Sequence, residues 1–120
     1  MVGRMNLNTI EVRQGDNFNI ILQVRDKEGE PISILDGSVL MQVRNIETNA
    51  LIFSINGDII PERQGVARIK ITPKHSKYEV GNYATDIQVT MPNDDIHTIF
   101  PKNINQIGTF RITRQVSKEG

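Results

Sequence analysis

The two histidines, His75 and His97, are the side chains best suited to bind a metal ion or exchange a proton near neutral pH. They lie far apart in the sequence, the chain has no cysteine, and neither histidine belongs to a His-x-His or HExxH spacing. Protein zinc sites normally combine several Cys, His or carboxylate ligands at short, regular spacings. We therefore expect both histidines to be solvated or hydrogen-bonded, and we assign no metal ligand.

One group of carboxylates, Asp26, Glu28 and Glu30, alternates in the way that the first ligands of a calcium-binding loop do. Such a loop also needs glycine at its sixth position and glutamate at its twelfth. Gly29 is misplaced for that role, and no glutamate occupies the twelfth position. A hydrophilic turn is the favoured interpretation, and calcium binding between the loops of a β-sandwich is the alternative.

Motifs for nucleophilic catalysis and for phosphate binding are absent from the sequence. None of the five serines lies in a GxSxG context, and neither GxxxxGK[ST] nor GxGxxG occurs. A hydrolase would require His97, Asp94 and Asp95 to converge in a deep pocket, which nothing in the sequence indicates. We therefore predict no catalytic residue, no cofactor and no enzymatic activity.

The net charge and the aromatic content argue against several classes of binding partner. Lys plus Arg and Asp plus Glu each number 14, so the net charge is zero, whereas nucleic-acid-binding domains usually carry a basic excess. Tryptophan is absent and only two tyrosines occur, so few rings are available for stacking against sugars or bases. No apolar run approaches the roughly 20 residues of a membrane-spanning helix. We expect neither a nucleic-acid partner nor a membrane partner.

The elements that must position any functional residue are strands. Ile, Val and Thr number 18, 9 and 8, whereas Ala and Leu together number eight. β-branched side chains favour pleated sheets, while Ala and Leu favour helices. A chain of 120 residues with this bias predicts a single all-β domain with one core of modest size.

Apolar and polar residues alternate between turn signals, which predicts about eight strands. The alternation is clearest where Phe18, Ile20 and Leu22 share one face. In a later strand it places Leu51, Phe53 and Ile55 together on the inward face. Pro73 suits the first position of a helix, so one short helical turn is expected near 73–79. The pattern favours an antiparallel sandwich of about seven to nine strands, with a small barrel as the alternative. The predicted strands cover 9–13, 17–25, 38–44, 50–55, 65–72, 83–91, 96–100 and 107–116.

A few residues are predicted to hold the sandwich together rather than to perform chemistry. Phe18, Ile87 and Phe110 fall at inward positions of their strands. Tyr83 follows Gly81 at the start of a late strand, where its hydroxyl can return to the upstream backbone as in a tyrosine corner. A plain half-buried tyrosine is the alternative. These structural residues are Phe18, Gly81, Tyr83, Ile87 and Phe110.

Four stretches carry a family resemblance that covers about residues 12–117. The first runs from Gly15 through a D-x-x-G-x-P-I turn to Ile32, the second covers 35–44 and reaches Leu51-Ile52, and the third is 65–72. The fourth is a G-x-Y-x-x-D-I step at 81–87, followed by G-x-F-x-I-T at 108–113, and it is the most specific. This order resembles the immunoglobulin-like domains of tailed-bacteriophage structural proteins, in particular the N-terminal domain of the baseplate upper protein family.

The resemblance implies an immunoglobulin-like β-sandwich that serves as a non-enzymatic virion structural module in the tail or baseplate of a tailed phage or prophage. Its partners would be other tail or baseplate proteins or copies of itself, so a homo-oligomer is the expected state. The protein would be made in the bacterial host cytoplasm and would reside in the virion tail. The alternative function is a carbohydrate- or cell-surface-binding adhesion module with a β-sandwich fold.

The expected organisation is a flexible N-terminal lead at 1–8, a β-sandwich domain at 9–117 and a C-terminal tail at 118–120. Asn56-Gly57 is predicted to close the preceding strand as a hairpin-type turn. Edge strands leave unpaired backbone groups that another chain can complete. We therefore expect contacts at the first strand, at the last strand and at the segment 100–107, which is longer than a tight turn requires.

Overall fold

The computed structural model describes residues 3–6, 8–101 and 107–114, which form ten strands and one short helix. The helix, α1, spans Pro73–Ser76, and no helix in this described part is long and apolar enough to cross a membrane. The strands are β1 (Gly3–Met5), β2 (Thr9–Arg13), β3 (Phe18–Gln23), β4 (Ser38–Arg44), β5 (Leu51–Asn56), β6 (Asp58–Ile59), β7 (Val66–Ile71), β8 (Gly81–Thr90), β9 (Ile96–Phe100) and β10 (Gly108–Thr113).

The strands form two sheets that enclose one core. The larger sheet has the order β1-β2-β10-β8-β4-β5, with β9 also paired to β8, and the smaller sheet has the order β3-β7-β6. The predicted all-β sandwich with a short helix after residue 72 is confirmed. The described residues form ten strands instead of the predicted seven to nine. The pattern missed β1 and β6 because strands of three and two residues are too short to show alternation.

The core lies where the alternation predicted it, between the inward faces of the two sheets. Ile87 and Phe110 are fully buried, and Phe18 packs against the buried cluster from the rim. The buried apolar side chains that come from strands of both sheets are Ile10, Val12, Ile20, Val39, Met41, Val43, Val66, Ala67, Ile69, Ile71, Ile87, Val89, Phe100, Phe110 and Ile112.

Leu51 departs from the predicted alternation of its strand. The register between β4 and β5 shifts next to Val43, so Leu51 pairs with Arg44 while Phe53 pairs with Val43. A bulge of this kind turns one side chain to the opposite face. Leu51 is therefore 49% exposed, whereas Phe53 packs against the core.

Two of the expected contact strands are not at an edge. β2 lies between β1 and β10, and β10 lies between β2 and β8, so both have hydrogen-bonded neighbours on each side. The prediction that the first and last strands offer open edges is therefore wrong. β2 and β10 also run parallel, which the local pattern could not indicate because it carries no information on which strands become neighbours.

Asn56-Gly57 is not the hairpin turn that the sequence suggested. β5 belongs to the larger sheet and β6, which begins at Asp58, belongs to the smaller one, so the chain crosses between sheets at Gly57. The Gly57 N–H donates to the Val39 carbonyl at 2.8 Å, and a Cβ on Gly57 would lie 3.1 Å from the Val39 side chain. Glycine therefore allows the crossing strand to pass closely over β4.

The N-terminal segment contains one further strand. Gly3–Met5, inside the expected lead, pairs antiparallel with β2 as β1. Outside the described residues lie 102–106 of the expected contact segment, the end of the predicted last strand and the predicted C-terminal tail at 118–120.

Candidate functional site

The most irregular point of the larger sheet is opposite Asp86. β9 and β10 both pair antiparallel with β8, with Phe100 opposite Ile87 and Gly108 opposite Thr85. Only Asp86 separates those two positions on β8, whereas residues 101–107 separate them on the partner side. β9 therefore ends and β10 begins on either side of the position of Asp86, so the two strands together pair with β8 like one interrupted strand.

A groove of about 410 Å³ lies on the outer face of the larger sheet at this interruption. Four of its polar side chains come from adjacent strands: Gln42 and Arg44 from β4, Asp86 from β8 and Thr98 from β9. Gln42 and Asp86 are direct cross-strand partners, so the pleat places both side chains on the same face. Sheet register thus assembles residues that are far apart in the sequence.

Asp86 is the one carboxylate among the described residues that line this groove. Its Oδ1 atom is buried and accepts no hydrogen bond from the described residues. Burial raises the pKa of Asp86 above its usual value of 3.8, and the positive charge of Arg44 partly opposes that shift. An unpaired carboxylate oxygen in such a setting favours a donor supplied by a binding partner.

Arg44 is held by its own strand and by the following connection. Its guanidinium donates to the Asn49 carbonyl at 3.0 Å and to Gln42 Oε1 at 3.4 Å. These contacts direct a positive charge along the groove beside the Asp86 carboxylate. The arrangement offers one anion, one cation and an amide, which suits hydrogen-bonded recognition of a polar surface.

The two histidines have separate surroundings. His75 belongs to α1, where its Nδ1 accepts the backbone N–H of Thr72 at 3.0 Å and its ring lies 5.0 Å from that of Phe53. Burial, together with the charge of Lys74, lowers the pKa of His75 below 6.5. His97 is exposed on β9, in a different element from His75.

The carboxylates singled out from the sequence lie in turns. Asp26 Oδ1 accepts the backbone N–H groups of Glu28 and Glu30, both at 2.9 Å, which shapes the turn. Asp94 and Asp95 are exposed between β8 and β9, where Asp95 bonds with Asn93. Within the described ranges, no group of three or more His, Asp or Glu side chains is placed to hold a metal ion.

The aromatic side chains pack against one another and against the core. Phe53 contacts the rings of His75, Tyr78 and Phe110, with centroids 5.0, 5.8 and 5.7 Å away. The alternation pattern marked Phe110 as structural but did not indicate this central position of Phe53, because β5 and α1 meet only in the folded chain. The rings therefore stabilise one end of the sandwich and form no exposed stacking platform.

Tyr83 makes the upstream contact that its position suggested. Its hydroxyl donates to the Glu79 carbonyl at 2.6 Å, and its ring lies 6.4 Å from that of Phe110. Burial raises the pKa of Tyr83 above 10, and the nearby Glu79 and Tyr78 add to the shift. Gly81 has a φ of 153°, which side-chain-bearing residues rarely adopt, where the chain enters β8.

Most of the open strands of the sheets share one property. β1, β3, β5, β6 and β9 each have a side without a strand neighbour among the described residues. Four of them expose a large apolar side chain: Met5 (41%), Ile21 (57%), Leu51 (49%) and Ile96 (62%). The other exposed large apolar residues lie in connections, so in the described part no strand with neighbours on both sides exposes one.

The polar groove and the apolar edges were not assigned from the sequence. Asp86 falls at an ordinary outward position, and only the unusual length of the segment 100–107 hinted at an irregularity opposite it. No protein-family model matches the chain, and no curated protein matches it.

Proposed function

We propose that this chain is a non-enzymatic structural module of a tailed-phage or prophage virion, in the tail or baseplate, that acts through protein–protein contacts. The observation that carries the proposal is the distribution of exposed apolar side chains, which on strands are confined to open edges. Open edges combine unpaired backbone groups with apolar contact area, and both can be satisfied by a docking chain.

The assignment to a tail or baseplate draws on the resemblance of the four sequence stretches to phage immunoglobulin-like domains. A sandwich of two sheets is the architecture which that resemblance implies. The groove at Asp86 adds a polar feature between the end of β9 and the start of β10, where a neighbouring protein can find a hydrogen-bond acceptor and a positive charge. Such a module works by rigid shape and needs no reacting group.

The direct test mixes the purified chain with the separately purified tail and baseplate proteins encoded on either side of its gene. Sedimentation velocity is then used to look for a complex of defined stoichiometry. We expect such a complex, and immunogold labelling against this chain should decorate the tails of intact particles. A chain that binds none of these proteins, remains monomeric at all concentrations and instead binds a glycan array would favour the adhesion module.

A further inference from the structure

β3 is the open strand that lacks the features by which edge strands are usually protected from pairing. Short length, charged residues, proline and bulges are the common protections. β1 is short and contains Arg4, β6 has two residues, and β5 and β9 both show a register shift against their neighbours. β3 has six residues, FNIILQ, without charge or proline, and its register with β7 is unbroken.

The backbone of β3 presents a regular row of free groups at this edge. The Val24 N–H, just after β3, donates to the Gly65 carbonyl at 2.8 Å, which fixes the side that faces β7. In an antiparallel pair, alternate residues direct both backbone groups to the same neighbour. Asn19, Ile21 and Gln23 therefore direct their N–H and C=O groups to the open side.

The side chains of the same three residues form a symmetric pattern on the outer face of the smaller sheet. Ile21 is at the centre and is 57% exposed, while Asn19 and Gln23 lie on either side, the Gln23 amide donating to the Gln64 carbonyl at 3.1 Å. Rotation by 180° about an axis through Ile21 exchanges Asn19 with Gln23. β3 itself is thus self-complementary in polarity, and the nearest positive charge is that of Arg25, whose guanidinium donates to Gln23 Oε1 just beyond the strand.

We propose that the β3 edge binds the β3 edge of a second copy of this chain, antiparallel about a two-fold axis at Ile21. Ile21 then pairs with itself, Asn19 pairs with Gln23 of the copy, and the two smaller sheets form one continuous six-stranded sheet. This proposal rests on the proposed function, for which it names one partner and one surface.

The neighbouring charges are compatible with this pairing. The nearest cation is Arg25, and in the dimer its two copies lie eight residues apart along the paired strands, about 27 Å. The next cations are Arg68 and Lys70 on β7, opposite Ile21 and Asn19. In the dimer, the two β7 strands are separated by three strand spacings, about 14 Å, which exceeds the roughly 8 Å Debye length at physiological ionic strength. Repulsion between these cations is therefore largely screened.

The pairing is expected to be weak in isolation. One six-residue edge buries less than the roughly 1,200 Å² of a stable interface, so the dissociation constant should lie above about 1 µM. In an assembled particle, neighbouring copies are held close together, and such a contact then contributes through its high effective concentration.

Single-cysteine crosslinking tests the register, because the chain contains no cysteine of its own. Hydrogen-bonded partners in an antiparallel pair have Cα atoms about 5.5 Å apart, within the range that a disulfide spans. Ile21→Cys should form a disulfide dimer under mild oxidation. Asn19→Cys and Gln23→Cys should each crosslink poorly alone but efficiently when mixed. Ile46→Cys, at a comparably exposed site away from β3, is the control.

A charge variant tests the same edge without covalent capture. Ile21→Lys places two like charges opposite each other and should raise the dimer dissociation constant at least about tenfold in sedimentation equilibrium. Ile46→Lys makes the same change at a site 53% exposed and should leave it within about twofold. Circular dichroism should show unchanged folding for both variants.

The crosslinking and charge-variant experiments distinguish a failure of the β3 dimer from a failure of the proposed structural role. Crosslinking at position 21 and in the 19/23 mixture supports the β3 dimer. If Ile21→Cys does not crosslink beyond the Ile46→Cys control while the chain still binds tail proteins, the β3 dimer is wrong and the structural role stands. If Ile21→Lys instead abolishes binding to a tail protein, then the occupant of the edge is that protein and not a second copy.

Discussion

The Nδ1 atom of His75 lies 3.0 Å from the backbone nitrogen of Thr72 and accepts its hydrogen bond, while the Thr72 side chain accepts the N–H of Lys74. This reciprocal arrangement is a capping box, in which glutamate or glutamine normally occupies the position of His75. Because an imidazole accepts through an unprotonated nitrogen, the helix cap depends on His75 remaining neutral.

Acidification should weaken this cap. The folded-state pKa of His75 lies below the unfolded value of 6.5, so the unfolded chain binds the proton more readily. The stabilisation is therefore present above pH 6.5 and is lost as the pH falls from 6.5 through the folded-state pKa. We expect a loss of about 0.5–1 kcal/mol, typical of a helix cap, in urea unfolding measured between pH 7.5 and 5.

The matched variants are His75→Gln and His97→Gln. Glutamine keeps the acceptor of a capping box but does not titrate, so His75→Gln should flatten the pH dependence of unfolding over this interval. His97 is exposed, and its replacement should leave the slope as it is in the unmodified chain. If His75→Gln shows the same pH dependence of unfolding as the unmodified chain, then other groups control that dependence.

Removing the Tyr83 hydroxyl should destabilise the fold. Tyr83→Phe keeps the ring against Phe110 but loses the 2.6 Å hydrogen bond to the Glu79 carbonyl. We expect a loss of about 1 kcal/mol in the free energy of unfolding, measured by urea denaturation. Tyr78→Phe is the control, because the Tyr78 hydroxyl has no hydrogen-bond partner among the described residues; equal losses in both variants would contradict the role of Tyr83.

A methyl group at position 108 should force apart the strands at the interruption. A Cβ on Gly108 would lie 2.4 Å from the Thr85 carbonyl oxygen, a backbone atom that can move only with β8. Gly108→Ala should therefore reduce the free energy of unfolding by about 1–3 kcal/mol. The neighbouring Ile107 is exposed, and Ile107→Ala should change it by less than about 0.5 kcal/mol. An unchanged free energy of unfolding in Gly108→Ala would contradict this prediction and would mean that the strands can move apart at this point without cost.

Neutralising Asp86 should stabilise the domain slightly. The folded-state pKa is raised above 3.8, so the related stability is present below pH 3.8 and is lost as the pH rises through the folded value. Asp86→Asn removes that cost and should raise the free energy of unfolding at pH 7 by less than about 1 kcal/mol, since solvent screens this partly exposed group.

Glu28→Gln is the control for Asp86→Asn, because it removes one charge from an exposed turn and should have no measurable effect. The gain in the free energy of unfolding produced by Asp86→Asn should become smaller as the pH falls toward 4. A loss of stability at pH 7 would instead indicate that attraction to Arg44 outweighs the cost of burial.

Much of the fold follows from residues that act locally. Alternation placed Ile87 and Phe110 inside, Pro73 marked the start of a helix, and the position of Tyr83 suggested its upstream hydrogen bond. Each of these depends on a period of two residues or on contacts within a few positions. The same alternation placed Leu51 on the inward face wrongly, because one bulge shifts the pattern by a residue.

The candidate site required the tertiary structure. Asp86, Gln42 and Thr98 meet because β8 lies between β4 and β9, and no local pattern specifies which strands become neighbours. The same holds for the edges: β2 has the composition of a possible edge but is enclosed by β1 and β10, whereas β3 is left open.

The sequence by itself thus determined an all-β domain of zero net charge with defined inward faces, because side-chain direction alternates along every strand whatever its neighbours. Only the tertiary structure decided which strands are open, where the interrupted strand exposes Asp86, and that Ile21 occupies the centre of an unprotected edge. The physical reason is that pairing between strands is non-local: it depends on how the whole chain satisfies its backbone hydrogen bonds while burying one core.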